Sequence, residues 1–328
     1  MPSIGRQKDR TNPVDDISIS SLSKAKKNIQ DAREDCPLCG GNSSEIICEK
    51  PMILRCLFCR HGFRPNPLES IVRGYSGPVS MPTFFEAMMF ARHHYDFIDK
   101  NVGFEKVSSL LEIGPGDGAL LRMIRRKHPR INLTGVEPSV ELCRRLRKIP
   151  ELKVVNSYIE EFTTVQRFDL VIMSHILEHV EKPGNILTGI YADLLNPGGH
   201  LYIDVPNQDF ELGNSGMTSL APPGHLFFFN GISFPKLLSA AGFPRENICG
   251  VKYSTIPESY PARMEMIAGL AGSRGCFAKI RLFREKAMKR ISLRVSVPIR
   301  ILLNRRPEEM PLEESGRSHN NMAIIARK

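Results

Sequence analysis

Apolar residues recur with two different periods along this 328-residue chain, and the switches between them mark its elements. From Thr83 to Val102, the positions Phe84, Met88, Ala91, Tyr95 and Ile98 fall at helical spacing. At Val107 the pattern changes to short β-branched and Leu-rich runs. VSSLLEIG (107–114), NLTGVEPS (132–139), LKVVNS (152–157), FDLVIMS (168–174) and HLYIDV (200–205) read as strands. Helical stretches lie between them, at Ala119–Lys127, after Ser139, and at Asn185–Leu195 with Ile186, Ile190 and Leu194 on one face. Asn230 caps a further helix that carries Phe234, Leu237, Leu238 and Ala241 and stops at Gly242. A strand at 248–255 and the closing NNMAIIARK complete a set of seven. Strands and helices alternating about every 25 residues predict an α/β fold, a doubly wound and mostly parallel sheet covered on both sides.

The remaining segments set the organisation. Residues 1–34 are polar, mixed in charge and without periodicity, so a disordered leader is expected there. A small cysteine-bearing module is expected over 35–80 and the main domain over 81–328. Within the latter, a basic helical insertion at about 262–310 precedes the last strand.

Composition narrows the class. Hydrophobic residues make up 41% and charged residues 24%, ordinary globular usage. No uncharged apolar run reaches the roughly 18 residues of a membrane span, and the charged N-terminus lacks the apolar core of a signal peptide. Eight cysteines are too few for a disulfide scaffold, so reduced thiols and a cytoplasmic location are expected. The net charge of +10 is concentrated. Between Arg274 and Arg306 there are eleven Lys and Arg against Glu285 alone, a surplus equal to that of the whole chain. Phe277, Ile280, Phe283, Ala287 and Ile291 recur there at helical intervals. A basic amphipathic helix of this kind lies on an anionic membrane surface, neutralises RNA phosphates, or closes over a site as a lid.

Half of the cysteines form one pattern. Cys36-Pro-Leu-Cys39 and Cys56-Leu-Phe-Cys59 give CxxC-x16-CxxC, two tight turns that each offer two thiolates to one tetrahedral ion. Structural zinc is the expectation, and metal binding would drive folding of so small a module. Cys48 and His61 are substitute ligands of poorer spacing.

The first strand runs into Gly114-Pro-Gly116-Asp-Gly118, where glycines let a backbone approach a ligand and the following helix offers free N–H groups to it. Glu137 closes the second strand, placed to accept both ribose hydroxyls of an adenosine. Gly114, Gly116 and Ala119 also satisfy a dinucleotide fingerprint, so the loop alone leaves a dehydrogenase open. Glu112, just ahead of the first glycine, opposes a pyrophosphate but suits an ammonium and a sulfonium. With the Asn196-Pro-Gly-Gly199 turn and the polar end of FDLVIMSHILEHV, these motifs resemble the class I S-adenosylmethionine (SAM)-dependent methyltransferases over about 105–328.

That resemblance implies roles. Glu112, Gly114, Gly116 and Gly118 would surround the methionine part of SAM, Glu137 would bind the ribose, and Tyr158 and Ile159 would line the adenine. Ser174 and His175 would face the methionine moiety. The cysteine ribbon joined to such a domain is similar to a bacterial group of sugar C-methyltransferases and surface-glycan cluster methyltransferases. The implied acceptor is a hydroxyl or acidic carbon of a sugar or glycan intermediate, small or lipid-linked, met at the inner face of the membrane through 274–306. His225 or His179 is the candidate general base, with Glu178 beside them, since neutral imidazole accepts a proton near neutral pH. The same spacing resembles the divalent-metal sites of quinone-precursor and small-RNA 2′-O-methyltransferases, although His175 stands where those families carry an acid. A metal-assisted RNA methyltransferase and a non-catalytic SAM-binding interaction module are therefore the alternatives.

Overall fold

The computed structural model describes residues 35–49, 52–65, 84–208, 224–253, 309–312 and 321–328. The expected leader and basic segment 274–306 lie outside these residues. Two sheets organise the molecule. The smaller begins with β1 (Ser44–Glu49), β2 (Met52–Cys56) and β3 (Gly62–Phe63). After α1 (Phe84–Asn101), the chain alternates through β4 (Ser109–Ile113), α2 (Ala119–Lys127), β5 (Asn132–Val136), α3 (Val140–Leu146) and β6 (Leu152–Val155). It continues through β7 (Phe168–Ser174), α4 (Pro183–Gly189), β8 (Leu195–Pro206), β9 (Phe227–Phe228), α5 (Phe234–Ala240) and β10 (Ile248–Tyr253). It finishes with β11 (Glu309–Pro311) and β12 (Asn321–Arg327).

The larger sheet has the order β11-β10-β12-β8-β7-β4-β5-β6. The run β8-β7-β4-β5-β6 is parallel, while β12, β10 and β11 are antiparallel additions. Among the described residues this sheet has eight strands where seven were expected. The extra one, β11, pairs Val251 with Pro311 and Tyr253 with Glu309 on the outer edge of β10. Three residues are too few to show alternation, which is why the sequence pattern misses it.

Period-two alternation fills both faces of this sheet. Leu111, Val171 and Ile203 face one core with Leu187 of α4 and Phe234 and Leu238 of α5. Leu110, Ile172 and Tyr202 face the other, with Ala91, Tyr95 and Ile98 of α1 and Leu120, Leu121 and Ile124 of α2. The helix expected over 185–195 starts two residues earlier, with Pro183 in its first turn, and passes into a π turn at Ile190–Leu194. The Asn196–Gly199 stretch is a bulge within β8. Gly198 takes φ +75°, a left-handed conformation that favours glycine, and Asn196 Nδ2 donates to Asp169 Oδ1 at 2.7 Å. Ser233, not Asn230, is the N-cap of α5 and makes no side-chain cap bond, while Asn230 holds the turn before it, its Oδ1 accepting from Ser233 N at 2.9 Å and its carbonyl from Phe234 N at 2.9 Å. Among the described residues, no helix is long and apolar enough to cross a membrane.

The two sheets meet through β9. The smaller sheet has the order β1-β2-β3-β9, so Phe227 and Phe228, from beyond β8, complete the sheet that the cysteine-bearing strands begin. Cys36, Leu54, Cys56 and Phe63 consequently pack in the same core as Leu177, Leu226 and Phe229.

Candidate active site

All five parallel strands deliver their C-terminal ends to one edge of the large sheet, where open α/β sheets build their sites. At the end of β4, Gly114, Gly116 and Gly118 take φ values of +68°, +56° and +78°. Side chains rarely adopt this left-handed backbone, so glycine is required there. A Cβ on Gly114 would also run into Ile176, whereas one on Gly116 meets nothing within 4 Å. The loop thus has open space over Gly116 and leads directly into the N-terminal amides of α2.

Two buried carboxylates flank that space. Glu137, at the end of β5, accepts from Ser139 N at 3.0 Å through Oε1. Burial pushes its pKa above the usual carboxylate range, although amides of Ser139 and Gly116 oppose this. Asn156 Nδ2 donates to the carbonyls of Glu137 and Pro138 at 2.9 and 2.8 Å and fixes the turn. Glu112 is buried within β4, and its Oε2 has no hydrogen-bond partner. Burial, and secondarily the charge of Asp117, pushes its pKa up to about 8. An ammonium or sulfonium against this orphaned oxygen would restore the charged form.

This shift has a measurable sign. The free protein holds Glu112 largely protonated below about pH 8, and a cationic ligand must displace that proton. SAM affinity should therefore rise about tenfold per pH unit up to pH 8 and then level off. Calorimetry in buffers of different ionisation enthalpy should record proton release at pH 7, and Glu112→Gln should abolish it. Affinity that is flat from pH 6 to 9 would contradict the assignment. For the stability of the free protein, the raised pKa contributes below the ordinary carboxylate range, and that contribution is lost as the pH rises through about 8.

Beyond β7 the chain gathers imidazoles and carboxylates. His175 takes φ +53°, and only Leu177–His179 form a short 3-10 turn. The left-handed residue turns the chain so that Ile176 covers Gly114. His175 lies between two buried carboxylates, with Nδ1 3.5 Å from Glu178 Oε1 and Nε2 3.6 Å from Asp204 Oδ2. Asp204 itself is fully buried, accepting from His94 Nε2 of α1 at 2.7 Å and from the Tyr253 hydroxyl at 2.6 Å. Burial raises its pKa, but these donors and the charges of His94 and His175 outweigh that and hold it below the usual range.

Glu178, His179 and His225 offer ligand atoms that all lie within 4.8 Å of one another. His179 Nδ1 donates to Gly224 O at 2.7 Å, which leaves Nε2 facing Glu178 Oε1 at 3.7 Å. The His179 and His225 rings meet edge to face at 4.9 Å. Burial lowers the His179 pKa against the opposing charge of Glu178, which favours the neutral imidazole. Burial raises the pKa of Glu178, but the contact with His175 and the charges of all three histidines bring it below the usual value. The arrangement is a neutral imidazole backed by a buried carboxylate, which can accept a proton and stabilise the resulting cation.

The four cysteines converge as the spacing predicts. Cys36 Sγ lies 3.6 Å from Cys59 Sγ, and Cys39 Sγ lies 3.6 Å from Cys56 Sγ. These separations exclude disulfides and approach the edge of about 3.8 Å of a tetrahedron with zinc–sulfur bonds of 2.3 Å. The amides of Phe58 and Cys59 donate to Cys56 Sγ, and each knuckle turns on a left-handed residue, Gly40 or Arg60. The donor set fits zinc. Cys48 is not part of the cluster, and His61 instead accepts from Asn230 N at 3.3 Å.

Of the residues singled out from sequence, the structure brings Glu112, the glycines and Glu137 together at the ends of β4 and β5. It leaves Ser174 as the last residue of β7 and brings His175, Glu178, His179 and His225 together beyond it. Ile159 packs on the core, while Tyr158 is 43% exposed. Sequence reasoning missed Asn156, His94 and Asp204. Asp204 was the readable one, an acid inside the apolar run Leu201–Val205.

Comparison with known proteins bears on this site. Residues 87–245 match the family model described as a methyltransferase domain. The chain is similar to the ubiquinone biosynthesis O-methyltransferase of Aeromonas salmonicida (strain A449), with 27% identity over 46% of this chain and 69% of that one. It is also similar to the mitochondrial ubiquinone biosynthesis O-methyltransferase of Candida albicans, with 32% identity over 31% of this chain and 33% of that one. Among solved structures, the plantazolicin methyltransferase BpumL, in complex with a triazolic desmethylPZN analog and S-adenosylhomocysteine (SAH), aligns with 79% of this chain and 90% of that one. The identity is 19% and the TM-score 0.47. The matched stretch contains the glycine loop, both flanking carboxylates and the histidine cluster. Residues 87–245 are a class I SAM-dependent methyltransferase domain, and the chain that carries it is a SAM-dependent methyltransferase.

Proposed function

We propose that this enzyme moves the methyl group of SAM onto an acceptor hydroxyl, with the Glu178–His179–His225 cluster taking the hydroxyl proton. The observation that carries the reading is the convergence of these three side chains within 4.8 Å at the strand edge that also bears the glycine loop. The acceptor oxygen bonds to carbon as the sulfur–carbon bond breaks, and the proton passes to an imidazole. For His179, the acceptor atom is Nε2, and the imidazolium so formed faces Glu178. The names of the curated relatives support oxygen as the acceptor atom. For the acceptor molecule we retain a sugar or glycan intermediate, small or lipid-linked, with a phenol as the competing class. Structural zinc on the four cysteines, and attachment to the inner face of the membrane through 274–306, belong to the same reading.

The test is transfer of tritium from methyl-labelled SAM into glycan, phenolic, lipid and RNA fractions. Label in an O-methyl group of the glycan fraction is expected. Label on nitrogen or carbon would overturn the hydroxyl assignment, and label confined to RNA would overturn the acceptor class.

A second reading has its own observation. Neither oxygen of buried Glu178 accepts a hydrogen bond of ordinary length, and with His179 and His225 it forms a set that suits a divalent cation. Such an ion would lower the pKa of an acceptor hydroxyl, and these three residues would hold it. Loss of transfer on chelation while the cysteine-bound metal stays in place would favour this reading over direct base catalysis.

A further inference from the structure

The strand β9, two residues beyond His225, is built into the cysteine ribbon. Phe63 pairs with Phe227 and Gly62 with Phe228. Arg64 extends the pairing by two bonds, its amide donating to Leu226 O at 2.9 Å and its Nε to His225 O at 2.7 Å. Its guanidinium lies 5.8 Å from the centre of the Phe228 ring. From the opposite side, Leu226 N donates to Glu178 O at 2.8 Å. The segment 225–226 is therefore clamped between the ribbon and the turn that bears Glu178 and His179.

Further hydrogen bonds fix the same seam. Gln208 accepts from Gly62 N and donates to Arg60 O, while its own amide donates to Phe229 O. Asn230 Nδ2 donates to Arg60 O at 3.0 Å. Arg60 follows directly on Cys59, and its amide donates to Cys56 O at 3.0 Å; Cys56 N in turn donates to His61 O. Every link from the second cysteine knuckle to the His225 carbonyl is thus a hydrogen bond or a single step along the chain.

We propose that Arg64 is a positioning residue for the acceptor half of the active site. Metal bound by Cys36, Cys39, Cys56 and Cys59 would set the place of His225 through the Arg60–Arg64 segment. This rests on the role given above to the Glu178–His179–His225 cluster. The SAM half, built on β4 and β5, has no part in the seam and should not respond.

The experiment compares hydrogen exchange in the full-length protein, in protein stripped of the cysteine-bound metal, and in Arg64→Ala and Arg64→Lys. Amides at 226–229 should exchange about tenfold faster, or more, in the stripped protein and in Arg64→Ala, while 109–113 and 170–174 keep their protection. SAH affinity should stay within about twofold in both. For Arg64→Ala, kcat for tritium transfer should fall with the KM for SAM unchanged, and Arg64→Lys, which keeps a donor, should recover part of it. Unchanged exchange at 226–229 in both stripped protein and Arg64→Ala would overturn the proposal, as would full transfer by Arg64→Ala. Should Arg64→Ala fail to fold, the lysine variant and the stripped protein decide on exchange alone. Failure of the cluster assignment reads out separately, because exchange at 226–229 does not depend on which group takes the proton.

Discussion

Replacing Glu178 by glutamine should cut methyl transfer by about two to four orders of magnitude while SAH binds as before. Glutamine keeps the volume of a side chain that is 1% exposed, so the surrounding core has no cavity to close. What it removes is the charge that faces His175 at 3.5 Å and His179 at 3.7 Å. Burial already lowers the His179 pKa, and without Glu178 nothing on that side opposes it. The imidazole would remain neutral but lose the group that stabilises its protonated form. Tritium transfer read beside SAH calorimetry separates this from damage to the SAM half. Activity within about fivefold of the wild type would remove the cluster from the mechanism.

The second large effect is expected at Glu137. Its substitution by alanine should weaken SAH binding by about 100-fold, because a carboxylate bonded to two ribose hydroxyls makes two charge-assisted bonds worth about 1.5 kcal/mol or more each. The side chain is held ready: Ser139 N fixes one oxygen, and Asn156 fixes the backbone carbonyl. Aspartate, one carbon shorter, should fall between the two. Unchanged calorimetric affinity in Glu137→Ala would show that the ribose binds elsewhere and would undermine the assignment of the whole glycine loop.

Much of this site is local in the chain, and that part was legible from sequence. Ala119–Lys127 and Phe168–Ser174 appear with the bounds their periodicity predicts, because the helix buries one face on the sheet and the strand is buried within it. The glycine loop and both cysteine pairs were legible because turn geometry and ligand number dictate residue type at fixed spacing. What escaped is what long-range contact creates. His94 reaches Asp204 across 110 positions and Arg64 reaches His225 across 161, and neither pair has a period or motif. The left-handed turn at His175 escaped for a different reason. Histidine has no intrinsic need of that conformation, and no residue pattern marks the turn that lays Ile176 over Gly114. The eighth strand escaped because three residues form it only where β10 leaves an edge to fill.

The shared small sheet also bears on solubility. Phe228 is fully buried and packs with Ile53, and Leu226 and Phe229 are covered beside it. A chain shortened to start at Phe84 would leave β9 without its neighbour strand, exposing aromatic side chains next to unsatisfied amides. Such a bare margin recruits strands from other molecules, so the shortened enzyme should precipitate or self-associate where the intact one stays dispersed.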